Sequence, residues 1–328
     1  MNENELAPIN IVPDKGYTVG PLIYMPGLKN NIADKLIEFS RYKPLSAAIC
    51  LEDTIRDDMV DIAERNIVKV LSDLKKRTSD SSIKLPNIFI RVREPEQIDR
   101  LITGAGDNGD LITGFILPKI DDEEIERYLP MIRSADKMFM PILESSLLID
   151  KRYRAQRLST LRDVFEEVRD KIINVRVGGN DFSSSFGFRN SVHQSVYDFY
   201  PVMSLLEDIA TEFIPADFIV SAPVWNYFDN CTDDRWKTGL IRELERDHAM
   251  GFVGKTVIHP SQIETVLESH KPSRNDYDDA LLLMKTKDYE TQVIKSTTGS
   301  RMIEHKVHMR WAQKIISLAA VYGISNKE

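Results

Sequence analysis

A chain of 328 residues, 42% hydrophobic and 29% charged, is long enough for one large barrel or two modest domains with a full core. Its formal net charge of −8 argues against a general nucleic-acid binder, which needs a basic surface, and no apolar run is long enough to cross a bilayer. Two cysteines, Cys50 and Cys231, offer no disulfide framework, and the polar start Met1-Asn2-Glu3-Asn4-Glu5 is unlike a signal peptide, so the cytoplasm is the expected location.

Residues 1–20, with Pro8, Pro13, Gly16 and Gly20, predict an extended lead-in. Short apolar or β-branched runs then recur at residues 22–25, 47–51, 88–92, 115–117, 138–143, 172–177, 218–221 and 253–258. Segments of helical character separate them: residues 57–76, with Ile62, Ala63, Ile67, Val70, Leu71 and Leu74 on one stripe, then 121–132, 157–171 and 201–213. Eight strands alternating with helices predict a (β/α)₈ TIM barrel over residues 21–260, close to the usual size of about 250 residues. A doubly wound open sheet is the rival, but no Gly-x-Gly-x-x-Gly turn follows the first strand. Beyond Pro260 the pattern turns to helices only, at 276–289 and 306–322. This predicts a C-terminal helical extension over 261–328, packed on the barrel or on a neighbouring subunit.

A barrel gathers its functional groups at the carboxyl ends of its strands. In order these ends carry Glu52 and Asp53, Arg91 and Arg93, Lys119, Glu144, Asp181 and, after the eighth strand, His259. An ionisable group leaving an apolar strand must be solvated, paired or bound to metal. Two carboxylates at the exits of neighbouring parallel strands suit a hard divalent cation, Mg²⁺ or Mn²⁺, completed by water and substrate oxygens. Glu144 and Asp181 are therefore the candidate ligands, although a helix N-cap or a surface salt bridge would use the same positions. Arg91 suits a grip on a substrate carboxylate, an ion pair with Glu52 or Asp53, or both. Lys119 fits a substrate-binding group and a rim charge partner equally.

Lys151, Arg152, Arg154 and Arg157 follow the fifth strand, and Arg189 follows the sixth. With Arg91 and Arg93 they would form a cationic rim for a substrate of more than one negative charge, phosphorylated or dicarboxylic. A solvated helix start balanced by Asp163, Glu166 and Glu167 is the alternative. Trp225-Asn226-Tyr227 would supply a stacking wall or an aromatic core patch, and His259 would orient its turn or touch substrate. His305 and His308 lack a third ligand and read as a solvated or capping pair. No His-Glu-x-x-His, Gly-x-Ser-x-Gly or phosphate-cradling Gly-rich loop occurs, which removes several hydrolase and nucleotide-binding classes.

Several short motifs occur in a familiar order. They are Leu22-Ile23-Tyr24-Met25-Pro26-Gly27, Cys50-Leu51-Glu52-Asp53 with Ala63-Glu64-Arg65, Ile90-Arg91-Val92-Arg93 and Pro118-Lys119. Leu143-Glu144-Ser145 and Gly178-Gly179-Asn180-Asp181 through Gly187 follow, then Gly251-Phe252-Val253-Gly254-Lys255 with Ile258-His259-Pro260-Ser261-Gln262, the most specific of the set. On these motifs the chain resembles the superfamily of citrate lyase β-subunits, malyl-CoA lyases and HpcH/HpaI aldolases, from Leu22 to the C-terminal helices.

The resemblance implies a Mg²⁺-dependent carbon–carbon lyase or aldolase. Its substrate would be a carboxylate-bearing keto or hydroxy acid, phosphorylated or CoA-linked, and the reaction would pass through a metal-stabilised enolate. It implies Glu144 and Asp181 as ion ligands, Arg91 on the substrate carboxylate, Glu52 and Asp53 supporting the site, and a homo-oligomer, trimer or hexamer. The chain is also similar to divergent members encoded with bacterial tellurite-resistance and stress-response genes. It departs from the family pattern at Cys50, Arg93, Leu148 and Thr18-Val19-Gly20-Pro21, which bears on CoA recognition and leaves the carboxylate pair untouched. The alternatives are acyl-CoA thioester hydrolysis on the same metal site and a non-catalytic ligand-binding or assembly subunit.

Overall fold

The computed structural model describes residues 12–79, 82–285 and 293–325. Eight parallel strands form the expected barrel: β1 (Pro21–Pro26), β2 (Ser46–Cys50), β3 (Asn87–Arg91), β4 (Gly114–Leu117), β5 (Met138–Leu143), β6 (Val175–Val177), β7 (Val220–Ser221) and β8 (Lys255–Val257). Their residues are almost all buried, because helices cover the outer face and packed side chains fill the inner one. Pairing runs in sequence order from β1 to β7, and β1 also pairs with β8. The last seam closes through a parallel bridge between Ala222 and Lys255 and a bond from the Val253 amide to the Val220 carbonyl at 2.8 Å. Gly254 makes that seam possible: its φ is +81°, and a Cβ there would sit 3.0 Å from both the Gly20 carbonyl and Ser221 Oγ.

The connecting helices are α1 (Ile32–Phe39), α2 (Val60–Thr78), α3 (Glu96–Ala105), α4 (Glu124–Ser134), α5 (Arg154–Glu167), α6 (Gly179–Ser185), α7 (Tyr200–Phe213), α8 (Arg235–Ala249) and α9 (Ile263–Ser269). In α2 the buried residues are Ala63, Ile67, Val70, Leu71 and Leu74, while Asp61 opens the helix and Lys75, Lys76 and Arg77 close it. That is the apolar stripe and dipole-matched charge pattern its sequence predicts, except that Ile62 is exposed. Inside the barrel, Leu22, Ala48, Phe89, Ile116, Met140 and Ile142 form one apolar cluster. Toward the carboxyl ends of the strands the inward residues become polar, and that change marks the functional face.

The chain divides into two compact units, Val19–Val266 and the rest, in which residues from Leu267 onward group with those before Val19. In the second unit α10 (Arg274–Lys285) and α11 (His305–Tyr322) pack through Ala280, Leu283, Ala312 and Ile316. The expectation of helices only is corrected here: an antiparallel hairpin, β9 (Val293–Lys295) and β10 (Met302–Glu304), precedes α11. Strands of three residues are too short to show an alternating pattern, and the turn between them is marked by Gly299 at φ +71°. The end of the helix predicted at 276–289 lies outside the described residues beyond Lys285. The predicted lead-in is also only partly described, and its visible end is a 3₁₀ turn, Lys15–Val19, in which Asp14 Oδ1 accepts from the Gly16 amide at 2.7 Å. Among the described residues no helix is long and apolar enough to cross a membrane.

Candidate active site

Glu144 leaves β5 with only 7% of its surface exposed and lies against the exit of β6. A Cβ on Gly178 would collide with the Cβ and Oε2 of Glu144, so the missing side chain at 178 gives the carboxylate its place. Arg91, the last residue of β3 and 8% exposed, donates through Nη2 to Glu144 Oε1 at 2.7 Å. The same nitrogen lies 2.8 Å from Glu52 Oε2 and 3.1 Å from Asp53 Oδ2. Arg91 Nε is buried with no partner among the described residues. Lys119 holds a left-handed backbone at φ +53°, which is costly for a residue with a side chain. That conformation turns its amide toward Glu144 Oε1 at 3.3 Å, while its Nζ meets Glu52 Oε1 at 2.8 Å and Asp53 Oδ1 at 3.4 Å.

The electrostatics of this rim are lopsided. Among the described residues Glu52, Asp53 and Glu144 gather on Arg91, Lys119 joins Glu52 and Asp53, and Asp181 lies beside Glu144, so the carboxylates outnumber these two cations. Burial pushes the Glu144 carboxyl up to about 8; Arg91 opposes the shift, and the charge and hydrogen bond of Asp181 add to it. Burial and the neighbouring Asp53 also raise Glu52, against the pull of Arg91 and Lys119. Burial would lower Arg91, but Glu144, Tyr24 and Glu52 hold it firmly protonated.

The donor set fits a hard divalent ion. Glu144, buried beside Asp181, retains its proton where a double positive charge would favour the carboxylate. Among the described residues no group of three or more His, Cys, Asp or Glu side chains could enclose a metal, so further ligands would be water or substrate oxygens. Mg²⁺ is commonly bound that way.

The exit loop of β5 is fixed from below. Ser145 Oγ donates to Asp121 Oδ2 at 2.5 Å and accepts from the Leu147 amide at 3.2 Å. Asp121 Oδ1 in turn accepts from the amides of Glu123 and Glu124 at the start of α4. Neither residue was singled out by strand-exit reasoning, although the Pro118-Lys119-Ile120-Asp121 exit followed by acidic residues is a legible helix start.

A cavity of about 380 Å³ opens over the carboxylates, lined among others by Tyr24, Asp53, Arg91, Glu144, Arg176 and Asp181. The other predicted cations do not line it. Arg93 ties the β2–α2 loop, donating to the carbonyls of Leu51, Glu52 and Ile55 and pairing with Asp57, so it positions Glu52 and Asp53. Arg152 is exposed and pairs with Asp150, whereas Arg154 is buried, donates to the carbonyls of Leu148 and Ile149 and pairs with Asp208. Arg157 pairs with Asp122 and Glu123. The cationic rim is thus largely neutralised by local acids.

Arg189 lines a second cavity of about 500 Å³, which shares Asn180 and Asn226 with the first. Trp225 is core, its Nε1 bonded to the Trp236 carbonyl at 3.0 Å. His259 caps the turn after β8, Nδ1 accepting from the Ser261 amide at 3.3 Å, with its ring stacked on Phe228. His308 Nδ1 accepts from the Glu304 amide at 2.9 Å, a helix-start role. Strand-exit reasoning missed Tyr24, Arg176 and Thr256, which face the cavity from within the strands.

The sequence profile of the family described as C–C bond lyase of the TIM-barrel fold matches residues 14–324. The mouse mitochondrial citramalyl-CoA lyase is 24% identical over 309 residues, covering 91% of this chain and 85% of the mouse protein. Among solved structures, a citrate lyase from Burkholderia xenovorans superposes with a TM-score of 0.70 at 12% identity, covering 97% of this chain and 95% of that one. The CitE protein of Mycobacterium tuberculosis in complex with magnesium, acetoacetate and coenzyme A gives 0.62 at 15% identity, covering 93% and 99%. At these identities the two structural likenesses establish the fold alone.

Proposed function

We propose, on the premise that this chain belongs to the family of C–C bond lyases of the TIM-barrel fold, that it breaks or forms a carbon–carbon bond beside the carbonyl of a keto or hydroxy acid with the help of Mg²⁺. The observation that carries this reading is the adjacent Glu144 and Asp181 pair at the mouth of a cavity, on a rim with excess negative charge. Glu144 and Asp181 would hold the ion. When bound, it supplies Lewis-acid polarisation of the substrate carbonyl.

The chain's own residues do the rest. Arg91 fixes Glu144 through Nη2 and keeps Nε for the substrate carboxylate. Glu52 and Asp53 hold Arg91 in place, and Lys119 restrains them from the outer side. Tyr24, pushed up to about 12 by burial against the pull of Arg91 and Arg176, keeps its proton and faces the cavity as a hydrogen-bond donor.

The mouse relative is a citramalyl-CoA lyase and the Mycobacterium tuberculosis CitE was solved with coenzyme A, and the second cavity, continuous in lining through Asn180 and Asn226, offers room for the non-reacting part of such a thioester. Assembly as a trimer or hexamer is part of the reading by family likeness, and sedimentation velocity checks it. The association with tellurite-resistance genes carries none of it. Calorimetric titration with Mg²⁺ is the primary test: the wild type should bind and Asp181→Ala should not. Equal weak binding by both overturns the proposal. A screen for pyruvate, glyoxylate, oxaloacetate or free CoA released from candidate acids and thioesters then identifies the substrate.

A further inference from the structure

Arg176 sits in the middle of β6 with 2% of its surface exposed and lines the same cavity as the carboxylate pair. Its partners are neutral: Nη2 donates to Thr256 Oγ1 on β8 at 2.7 Å and Nη1 to Asn174 Oδ1 at 3.3 Å. Burial drags its guanidinium down to about 10, and among the described residues no carboxylate opposes the shift. A buried cation without a counter-ion is costly, and neutral Gln or Met could fill the same space between β6 and β8. Two unused donors belong to neighbouring groups: among the described residues Asn174 Nδ2 and Arg91 Nε are buried without partners. Glu52, Asp53 and Glu144 crowd Arg91 at the rim, yet among the described residues no carboxylate is paired with Arg176.

Register fixes its depth. Arg176 pairs with Ile142, two residues before Glu144 on the same inward-facing side of the wall. At about 3.3 Å per residue its backbone lies roughly 7 Å below the carboxylate layer, toward the barrel interior. A ligand engaged by Glu144, Asp181 and Arg91 at one end therefore points its other end at Arg176.

We propose that Arg176 is the counter-ion for a second carboxylate, so that the acid taken by this site is a short dicarboxylate whose remote group is bound inside the barrel by Arg176 and Thr256. This rests on the function proposed above and narrows its substrate class. It also moves the recognition of a second negative charge from the locally neutralised arginines after β5 to a single buried one.

Malate and lactate differ by one carboxylate and are stable probes. With Mg²⁺ present, calorimetry should show wild-type protein binding malate about tenfold or more tighter than lactate, as a charge-assisted pair would give. Arg176→Met should bring malate down to the lactate affinity and leave lactate within about twofold, while Asp181→Asn should lose both. Thermal unfolding of ligand-free Arg176→Met should show a Tm equal to or above that of the wild type, and Arg176→Lys should retain part of the malate preference. A wild type that binds both acids alike, an Arg176→Met variant that keeps the preference, or one that is strongly destabilised without ligand overturns the inference and leaves the lyase reading standing. A wild type that binds Mg²⁺ but neither acid also overturns the inference alone, whereas one that binds no Mg²⁺ overturns both.

Discussion

Two clusters of buried charge sit within the barrel unit, and they are built on opposite terms. The first is the rim around Arg91. The second lies where α8 packs on β8: Lys255, fully buried, places Nζ 2.8 Å from both Glu243 Oε1 and Asp247 Oδ2. There every carboxylate oxygen has a donor. Ser195 Oγ and the Val196 amide serve Glu243 Oε2, and Tyr197 Oη serves Asp247 Oδ1 at 2.6 Å. At the rim, by contrast, Arg91 Nε lacks a partner among the described residues, Glu144 keeps a proton far above its ordinary range, and the carboxylates outnumber the cations. A network complete in itself specifies a fold; one left incomplete beside a cavity is built for something that arrives later.

The largest effect that separates them is on stability. Lys255→Met should strand Glu243 and Asp247 in the interior and cost about 3–5 kcal/mol, lowering Tm by roughly ten degrees. Urea unfolding measures it directly. Glu144→Gln should leave the ion-free protein as stable as the wild type or slightly more so, because Arg91 still has Glu52 and Asp53. Equal losses in the two variants would erase the distinction. Next comes Gly178→Ala. The backbone at 178 is unstrained, with φ −97°, so the effect is steric displacement of Glu144. Overpacking should cost about 1–3 kcal/mol, and Mg²⁺ affinity should fall about 10–100-fold by calorimetry.

Much of this was readable from the chain. Alternating apolar runs and amphipathic helices predicted the barrel, and polar groups at strand exits predicted the cluster of Glu52, Asp53, Arg91, Lys119 and Glu144. What stayed hidden depended on closure or on loops. Arg176 interrupts an apolar strand, and only the closed barrel brings it to Thr256 and the cavity. Arg93 lies beyond the last paired residue of β3, where strand alternation no longer fixes direction, and it turns to the neighbouring loop. Arg152 and Arg154 share a cationic stretch, yet Asp150 beside one and Asp208, far along the chain, beside the other decide their roles. Lys255 belongs to the motif, continued by Ile258-His259-Pro260-Ser261-Gln262, that was the most specific in the sequence, and it pairs with Glu243 and Asp247 between β8 and α8.

Glu144 also sets a pH dependence of middling size. Glu144 keeps its proton up to about 8 in the ion-free fold, but only to the ordinary carboxylate range when unfolded. Between those limits the native state binds more protons, so the stability of the ion-free protein falls as pH rises, by at most about 1.4 kcal/mol per unit. At the proposed site Mg²⁺ would have to displace that proton, and its apparent affinity should therefore climb toward pH 8, by up to about tenfold per unit, and then level off. Tm against pH with and without Mg²⁺ reads both slopes. A profile flat in both conditions would mean that Glu144 is ionised throughout.

The smallest effect tests whether the rim is held from outside itself. Ser145→Ala removes the bond to Asp121 and leaves one carboxylate oxygen of that buried residue without its donor. Asp121 still caps α4 through its other oxygen, so the stability loss should be only about 1 kcal/mol. The functional loss should be larger than stability alone explains. Ser145 follows Glu144 directly, and its release loosens the loop that presents the carboxylate over Gly178. Mg²⁺ affinity should fall by about tenfold, as when a support of a metal ligand is removed, while Ser145→Thr, which retains the hydroxyl, should recover most of it. If Ser145→Ala weakens the fold but leaves Mg²⁺ affinity unchanged, the loop is fixed by Arg91 and Lys119 alone, and the rim is as self-contained as the cluster around Lys255.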